Sequence, residues 1–524
     1  MIAKPEYFDR IRQRSANRWR QLEEDPELAG PWHQLFKQVQ SPRHVLSELL
    51  QNADDARATH ASVRIDGGVF SFSHNGEDFT EEHFASLCRF GYSNKRALHT
   101  IGFRGIGFKS TFSLGDCVEL FTPTLSAQFE RTRFTEPAWR TNSEASDGQT
   151  LVRVQSVDRR RQKELEKNFH EWLTSSKSLL FFRNLRRIDI GEQSIHWRKK
   201  KNGPVPDSEW VALDDAPDDC FLHIRSCEES FPEEALEEIR QERLLAVDEK
   251  TVFPPCRVEI VLGGGGRLYV VLPTGVETAL PFACNAPFIQ DPARLKIKDP
   301  ETSPTNRWLL ARCGRLAAES MLKWLENRKL TIPNRAAAYA LVPDLPTESS
   351  ALDAGCAAIV ANAFAEALHG EKVLLAEDGA LTLAKASVCV PATLLEVWPQ
   401  ELAMSLLDTG ERQPLCHTIQ EDHRARMVAW DWVKEIDSTA FLAILRHKRI
   451  PKPETWHQLM LLWAFIAPEF TGYQRRRYDI EELQLVPVQA SDGCTPQQVS
   501  CDWARRNCST PRMIGNSSGN TSSC

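Results

Sequence analysis

The stretch "IGFRGIGFKSTF", residues 101–112, places three glycines, a lysine and a serine within nine positions, a density that points to phosphate binding. Two unrelated ATPase folds use glycine loops of this kind, and spacing separates them. A P-loop carries its lysine directly after the last glycine, in the pattern G-x-x-x-x-G-K-[ST]. Here Phe108 stands between Gly107 and Lys109. A P-loop also follows a buried apolar strand, whose end aims backbone N–H groups at the phosphates. The preceding residues, "FGYSNKRALHT" (90–100), are polar and form no such strand. Spacing and context together exclude a P-loop.

The second informative stretch lies earlier. "SPRHVLSELLQNADDARA" (41–58) reads as a helix, with Ser41 as N-cap and Pro42 at the first helical position. Within it Glu48, Asn52 and Asp55 are spaced by four and then three residues. At about 100° per residue they share an arc of roughly 60°, while Leu49, Leu50 and Ala53 point elsewhere. An amide oxygen and a carboxylate one turn apart suit an Mg²⁺–triphosphate: the amide as a hard oxygen ligand, the carboxylate as base for an attacking water. The same spacing also occurs on ordinary solvated helix faces.

These stretches together resemble the GHKL ATPases, the superfamily of DNA gyrase, MutL, histidine kinases and the ninety-kilodalton heat-shock chaperones. The first motif of that superfamily, E-x-x-x-N-x-x-D-A, is met by Glu48, Asn52, Asp55 and Ala56. The resemblance implies Glu48 as general base, Asn52 as Mg²⁺ ligand and Asp55 near the nucleotide. The second motif, D-x-G-x-G, corresponds to "HNGEDF" (74–79), where His74 replaces the adenine-binding aspartate and Asp78 the second glycine. Gly76 still suits a close backbone approach, and a neutral His74 ring has one nitrogen able to accept a hydrogen bond. The third motif, G-x-x-G-x-G, is met by Gly102, Gly105 and Gly107, followed by Phe108 and Lys109. The resemblance implies an apolar residue packed under the loop at Phe108, a phosphate-holding helix start after it, and Lys109 close enough to assist. Thr150 of "GQTLVRV" corresponds to the final threonine near the base edge.

Within that superfamily the chain is most similar to the sacsin-like branch. The similarity rests on "HNGEDF", on "SNK" (93–95) with Lys95, on the glycine motif, and on "LPTGVETALPFACNAPFIQDPAR" (272–294). It implies ATP and Mg²⁺ as cofactors, slow hydrolysis coupled to lid closure, and Arg294 reaching the γ-phosphate from a middle module.

Composition sets wider bounds. The chain has 524 residues, 42% hydrophobic and 26% charged, with a net charge of -7, which gives no overall attraction to nucleic acid or anionic lipid. The basic runs Arg159–Arg161 and Arg198–Lys201 sit among acids such as Glu164, Glu166 and Glu192 and read as solvated faces. The N-terminus has no apolar run of signal-peptide length, and no run in the chain reaches membrane-span length; the nearest to a span, "LMLLWAFIAPEF" (459–470), reads as a buried helix. Fourteen scattered cysteines without a C-x-x-C pair suit reduced thiols, so a cytoplasmic location is expected. Cys494, Cys501 and Cys508 recur every seven residues without a histidine among them, which makes a zinc site a poor reading.

The expected fold class is α+β. Residues 1–155 would form a GHKL-type two-layer domain with an N-terminal helical extension. Its hairpin turns at Gly67-Gly68, and the later strands lie in "CVELFTP", "AQFERTRF" and "TLVRVQS". A connecting helix would fill 156–180. A mixed α/β module would occupy 181–330, with Ser230 capping "FPEEALEEIRQERLL" and the glycine run 263–266 turning a loose hairpin between "VEIVL" and "RLYVVLP". Residues 331–508 would be helix-rich, with two similar strand-turn-strand segments around Asp378-Gly379 and Asp492-Gly493, and 509–524 a disordered tail. Three roles fit this reading: a cycle acting on protein clients or a partner subunit, including a homodimer; a nucleic-acid-linked defence or DNA-processing system; and a nucleotide-gated scaffold without hydrolysis.

Overall fold

The structure is a computed structural model. It describes residues 2–25, 45–89, 108–141, 148–155, 157–174, 176–213, 216–243, 253–291, 295–346 and 351–399, and beyond these 402–403, 406, 413–445, 453–470, 486–489 and 496–499. The chain divides into two compact units, Met1–Ser320 with Pro346–Ala367, and Met321–Leu345 with Leu368–Cys524.

The first unit opens with helix α1 (Glu6–Glu24), which buries Phe8, Ile11 and Trp19. Its Trp19 Nε1–H donates to Thr135 Oγ1 at 2.8 Å, tying the helix to the turn before a later strand. Helix α2 (Val45–Asp55) follows and buries Leu46, Leu49, Leu50 and Ala53; the start expected at Ser41 and Pro42 lies outside the described residues. Strands β1 (His60–Asp66) and β2 (Val69–His74) form the expected hairpin. Gly67 and Gly68 both have positive φ, 56° and 80°, as a two-residue turn matching strand twist requires. Alternate residues of β1 and β2, including Val63, Phe70 and Phe72, are buried, so period-two patterning and register agree.

After α3 (Glu81–Leu87) the chain supplies β3 (Cys117–Phe121), β4 (Ser126–Glu130), β5 (Pro137–Trp139) and β6 (Thr150–Val154), all paired antiparallel. Helix α4 (Arg159–Thr174) leads to β7 (Arg187–Ile190), which pairs parallel with β1. A parallel pair needs a long crossover, and the chain between β1 and β7 provides it. The sheet therefore does not end near residue 155, where a domain boundary was expected. It continues through β8 (Gln193–Asn202), whose first part pairs with β7 and whose second part pairs with β9 (Ser208–Leu213).

Next in the chain come β10 (Ala216–Arg225), helix α5 (Glu233–Glu242), β11 (Glu259–Leu262), β12 (Arg267–Val270), β13 (Leu272–Glu277) and β14 (Phe282–Asn285). The strand order is β13-β12-β14-β11-β10-β9-β8-β7-β1-β2-β6-β3-β4-β5. Two local expectations are corrected here. The N-cap of α5 is Pro232, with φ -65° and ψ 159°, not Ser230; Glu233 and Glu234 in the first turn complement the helix dipole without a side-chain cap. The glycine run 263–266 does not turn a hairpin, because β14 lies between β11 and β12, antiparallel to one and parallel to the other. Helix α6 (Pro304–Glu326) has its residues up to Ser320 in the first unit and the rest in the second, and α7 (Leu352–Ala367) belongs to the first.

In the second unit, Leu374–Leu375 and Leu381–Thr382 form a small antiparallel pair around Asp378-Gly379, with Gly379 at φ 80°. Val486–Gln489 and Pro496–Val499 pair likewise, while Asp492-Gly493 lies outside the described residues. The helix Trp456–Ile466 buries Leu459, Leu462 and Ile466 along one side only; Trp456 and Met460 are 67% and 60% exposed. "LMLLWAFIAPEF" thus belongs to a half-buried helix rather than a fully buried one. No helix among the described residues is long and apolar enough to cross a membrane, and the ten described cysteines are free thiols. Cys494, Cys501, Cys508 and the tail 509–524 lie outside the described residues.

Candidate functional site

The site grows from the C-terminal end of α2. Glu48, Asn52 and Asp55 are all half-buried on this helix, whose opposite stripe of leucines enters the core. The helix stops because Arg57 takes a left-handed conformation, φ 59°, with its N–H bonded to the Asp54 carbonyl and that of Ala58 to the Ala53 carbonyl. The chain end so formed meets the turn after β2. Glu77 N–H donates to the Ala56 carbonyl at 2.7 Å, and Arg57 pairs with Glu77 at 3.1 Å. A Cβ on Gly76 would stand 2.6 Å from that same carbonyl oxygen and 3.0 Å from Ala56 Cβ, so only glycine permits this approach.

Asn75, which the motif comparison passed over, secures the turn from the other side. Its Oδ1 accepts from the backbone N–H groups of Thr59 and His60, each at 3.0 Å, and its Nδ2 donates to Thr59 Oγ1. Asparagine between a strand and a glycine is a recognisable turn signal, so this role was available to sequence reasoning. Asp78, in the place of a glycine, accepts from Phe79 N–H at 2.7 Å and from Thr124 Oγ1 at 2.8 Å, binding the turn to the β3–β4 connection.

His74 is 8% exposed. Burial pushes its pKa down to about 4, so the ring is neutral at pH 7. Its Nδ1 accepts from Gly76 N–H at 3.1 Å, which places the ring proton on Nε2. The expectation that His74 offers a ring acceptor is thereby reversed: the acceptor is used inside the turn, and the remaining nitrogen is a donor. Thr150 opens β6 directly opposite His74 in the sheet register. Its Oγ1 is buried and has no hydrogen-bond partner among the described residues.

The segment after the glycine motif is a 3-10 helix, Phe108–Ser113, packed against α2 with all six residues buried. An α-helix start was expected; Thr111 Oγ1 instead bonds the Phe108 carbonyl at 2.6 Å, and two aromatic rings with three hydroxyl side chains favour the tighter turn. Phe108 packs edge-on against Phe129, ring centroids 5.5 Å apart. Lys109 points away from any solvent-facing site. Its Nζ donates to the carbonyls of Leu87 and Phe134 and lies over the rings of Phe108 and Phe129. Burial lowers its pKa to about 8. In this position Lys109 is a core cation holding three segments together, which corrects its expected place beside phosphate.

Asp54, beside the motif's Asp55, is the acid that the spacing argument missed. It is 6% exposed and accepts from the backbone N–H groups of Arg183 (3.1 Å), Asn184 (2.7 Å) and Leu185 (3.0 Å). Burial raises its pKa, and those three hydrogen bonds oppose the rise. One helical residue, about 100°, separates an anchor from a candidate ligand-facing acid. Lys95, Gly102, Gly105, Gly107 and Arg294 lie outside the described residues. In the basic runs, Arg160 pairs with Glu164, Arg161 with Asp158 and Lys199 with Glu209. No protein-family model matches the chain, and no curated protein matches it.

Proposed function

We propose that the first unit binds ATP with Mg²⁺ in the manner of the GHKL ATPases and hydrolyses it slowly. The observation that carries this reading is the convergence of motif segments far apart in sequence. The end of α2 touches the 75–77 turn, His74 faces Thr150 across the sheet, and the Phe108–Ser113 helix packs on α2. The residues also fit the ligand chemically. A buried Thr150 hydroxyl without a partner among the described residues is costly unless another group, such as a ligand, meets it. Gly76 leaves the turn without a side chain, and His74 supplies a neutral N–H donor for an acceptor on a base edge.

Asn52 would provide an oxygen ligand to the metal, and Glu48 would take the proton from an attacking water. The metal, when bound, supplies neutralisation of phosphate charge. Trp456 and Met460, one turn apart and exposed on their helix, support contact with a protein client or partner subunit. In the basic runs Arg160, Arg161 and Lys199 are each paired with an acid, which favours a protein partner over nucleic acid.

The test is Mg-ATP binding by calorimetry together with turnover of the full chain and of Glu48→Ala. Glu48→Ala is expected to keep ATP affinity while turnover falls by about 10²-fold or more. Equal turnover removes Glu48 from the chemistry, and absence of ATP binding refutes the reading. Binding without turnover in the wild type assigns the scaffold role. Stimulation by duplex DNA alone, or by an unfolded protein alone, separates the remaining two.

A further inference from the structure

We infer that the second unit carries a metal site, formed by Glu377, Cys416 and His417, that takes Zn²⁺. Among the described residues these three make up the one group of histidine, cysteine and acid side chains whose ligand atoms all lie within 4.8 Å of one another. The residues proposed to bind ATP belong to the other unit.

Backbone pairing brings the three together. Ala376 and Leu415 form an antiparallel bridge, with Cys416 N–H donating to the Leu375 carbonyl at 2.9 Å and Glu377 N–H to the Pro414 carbonyl at 3.3 Å. Glu377 enters the tight turn in which Gly379, at φ 80°, returns its N–H to the Ala376 carbonyl at 3.0 Å. The acid therefore leaves its turn beside the chain that carries Cys416 and His417. It meets His417 twice: Oε2 accepts from the His417 backbone N–H at 3.1 Å, and Oε1 lies 2.6 Å from ring Nδ1. Cys416 Sγ lies 3.0 Å from Thr418 Oγ1.

A thiol, an imidazole and a carboxylate suit Zn²⁺, whereas Mg²⁺ and Ca²⁺ prefer ligand sets made of oxygens. Zn–ligand bonds of about 2.0–2.3 Å put tetrahedral donors roughly 3.3–3.8 Å apart, so movements of about an ångström bring the group to that geometry. The side chains free to make them lie outermost: Glu377 and His417 are 34% and 49% exposed, while Cys416 is buried. That exposure also gives the ion its way in.

Binding releases the Cys416 thiol proton to solvent and requires a neutral His417 ring, because the ligating forms are thiolate and imidazole. One thiolate and one carboxylate then balance the charge of the ion. Arg424, which lines a small cavity together with Cys416 and His417, consequently faces a site without net positive charge. Three protein ligands leave a fourth position for water, the coordination of an open zinc site rather than a closed structural one.

The test titrates the full chain, reduced and freed of metal, with Co²⁺, a spectroscopic substitute for Zn²⁺. Its thiolate-to-metal charge-transfer band reports only sites that contain cysteine, and the proposed Mg²⁺ site contains none. One equivalent per chain should develop that band with the visible absorption of tetrahedral Co²⁺, and Zn²⁺ should bleach both. Cys416→Ser should lose the band. His417→Ala and Glu377→Gln should each weaken binding by about ten-fold or more, since loss of an outer partner of a metal ligand already costs that much. Circular dichroism checks folding, and His417→Ala, at an exposed side chain, carries the test if Cys416→Ser does not fold. Absence of a cobalt–thiolate band, or a band and affinity unchanged in the folded variants, overturns the proposal.

Discussion

His74 offers the sharpest test of the site's electrostatics. Replacing it by phenylalanine keeps a ring in the sheet but removes the titrating group and the acceptor of Gly76 N–H. The folded-state pKa is about 4 because the ring is buried, against about 6.5 for an exposed histidine. The folded state thus binds fewer protons than the unfolded chain between these values, so stability rises with pH through this window. The contribution is fully present above about pH 6.5 and is lost as pH falls toward 4. Linkage puts the loss between pH 7 and pH 4.5 at about 2.5 kcal/mol. Chemical denaturation of wild type and His74→Phe across that range reads it as a difference, which removes other titrating groups common to both. The variant should be less stable at pH 7, by about 1 to 3 kcal/mol for the orphaned N–H, and the gap should close as pH falls. An NMR titration of labelled histidine identifies the His74 signal by its absence in the variant. A midpoint near 6.5 for that signal, or parallel loss of stability in the two proteins, would refute the reasoning.

Asp54→Ala should destabilise the first unit by about 3 kcal/mol or more, since three N–H groups of residues 183–185 lose their acceptor, and denaturant midpoints will show it. On the proposed ATP site, Asp55→Ala, at the next position, should weaken ATP binding in calorimetry, and unchanged affinity would remove Asp55 from that site. Gly76→Ala forces a Cβ against the Ala56 carbonyl and is expected to cost about 1–3 kcal/mol and to lower ATP affinity in calorimetry. For Lys109 the folded pKa of about 8 lies below the amine's ordinary 10.5, so stability should rise with pH between those values. Lys109→Met should abolish that rise, as denaturation at pH 7.5 and pH 10 will show.

Much of the local structure was legible in the chain. Leucines spaced around α2, the Gly67-Gly68 turn and alternation in "ASVRIDG" and "VFSFSHNG" each reflect a short-range rule of helix or strand geometry. The face shared by Glu48, Asn52 and Asp55 follows from the helical period alone, and the need for glycine at 76 was evident before the carbonyl it avoids was known. Less accessible were choices between chemically equal neighbours. Nothing in "NADDA" separates Asp54 from Asp55 until residues 183–185 arrive with three N–H groups in need of an acceptor. Lysine after a glycine motif invites a phosphate, yet Lys109 finds two carbonyls and two rings inside the core.

Long-range pairing explains the remainder. The glycines at 263–266 allow a reversal of direction, but whether the strands on either side pair depends on whether a later strand enters between them, as β14 does. Likewise β7 reads as the start of a new module, and its parallel pairing to β1 is decided by burial of Ile188 and Ile190 within a sheet begun more than a hundred residues earlier. By itself the sequence determined the elements, the exclusion of a P-loop and the set of polar residues on α2, because each depends on neighbours within a turn or two. Tertiary structure alone decided that Asp54 anchors residues 183–185, which nitrogen of His74 keeps its proton, and that Lys109 is a core cation, because burial and hydrogen-bond partners come from chain segments brought together only by folding.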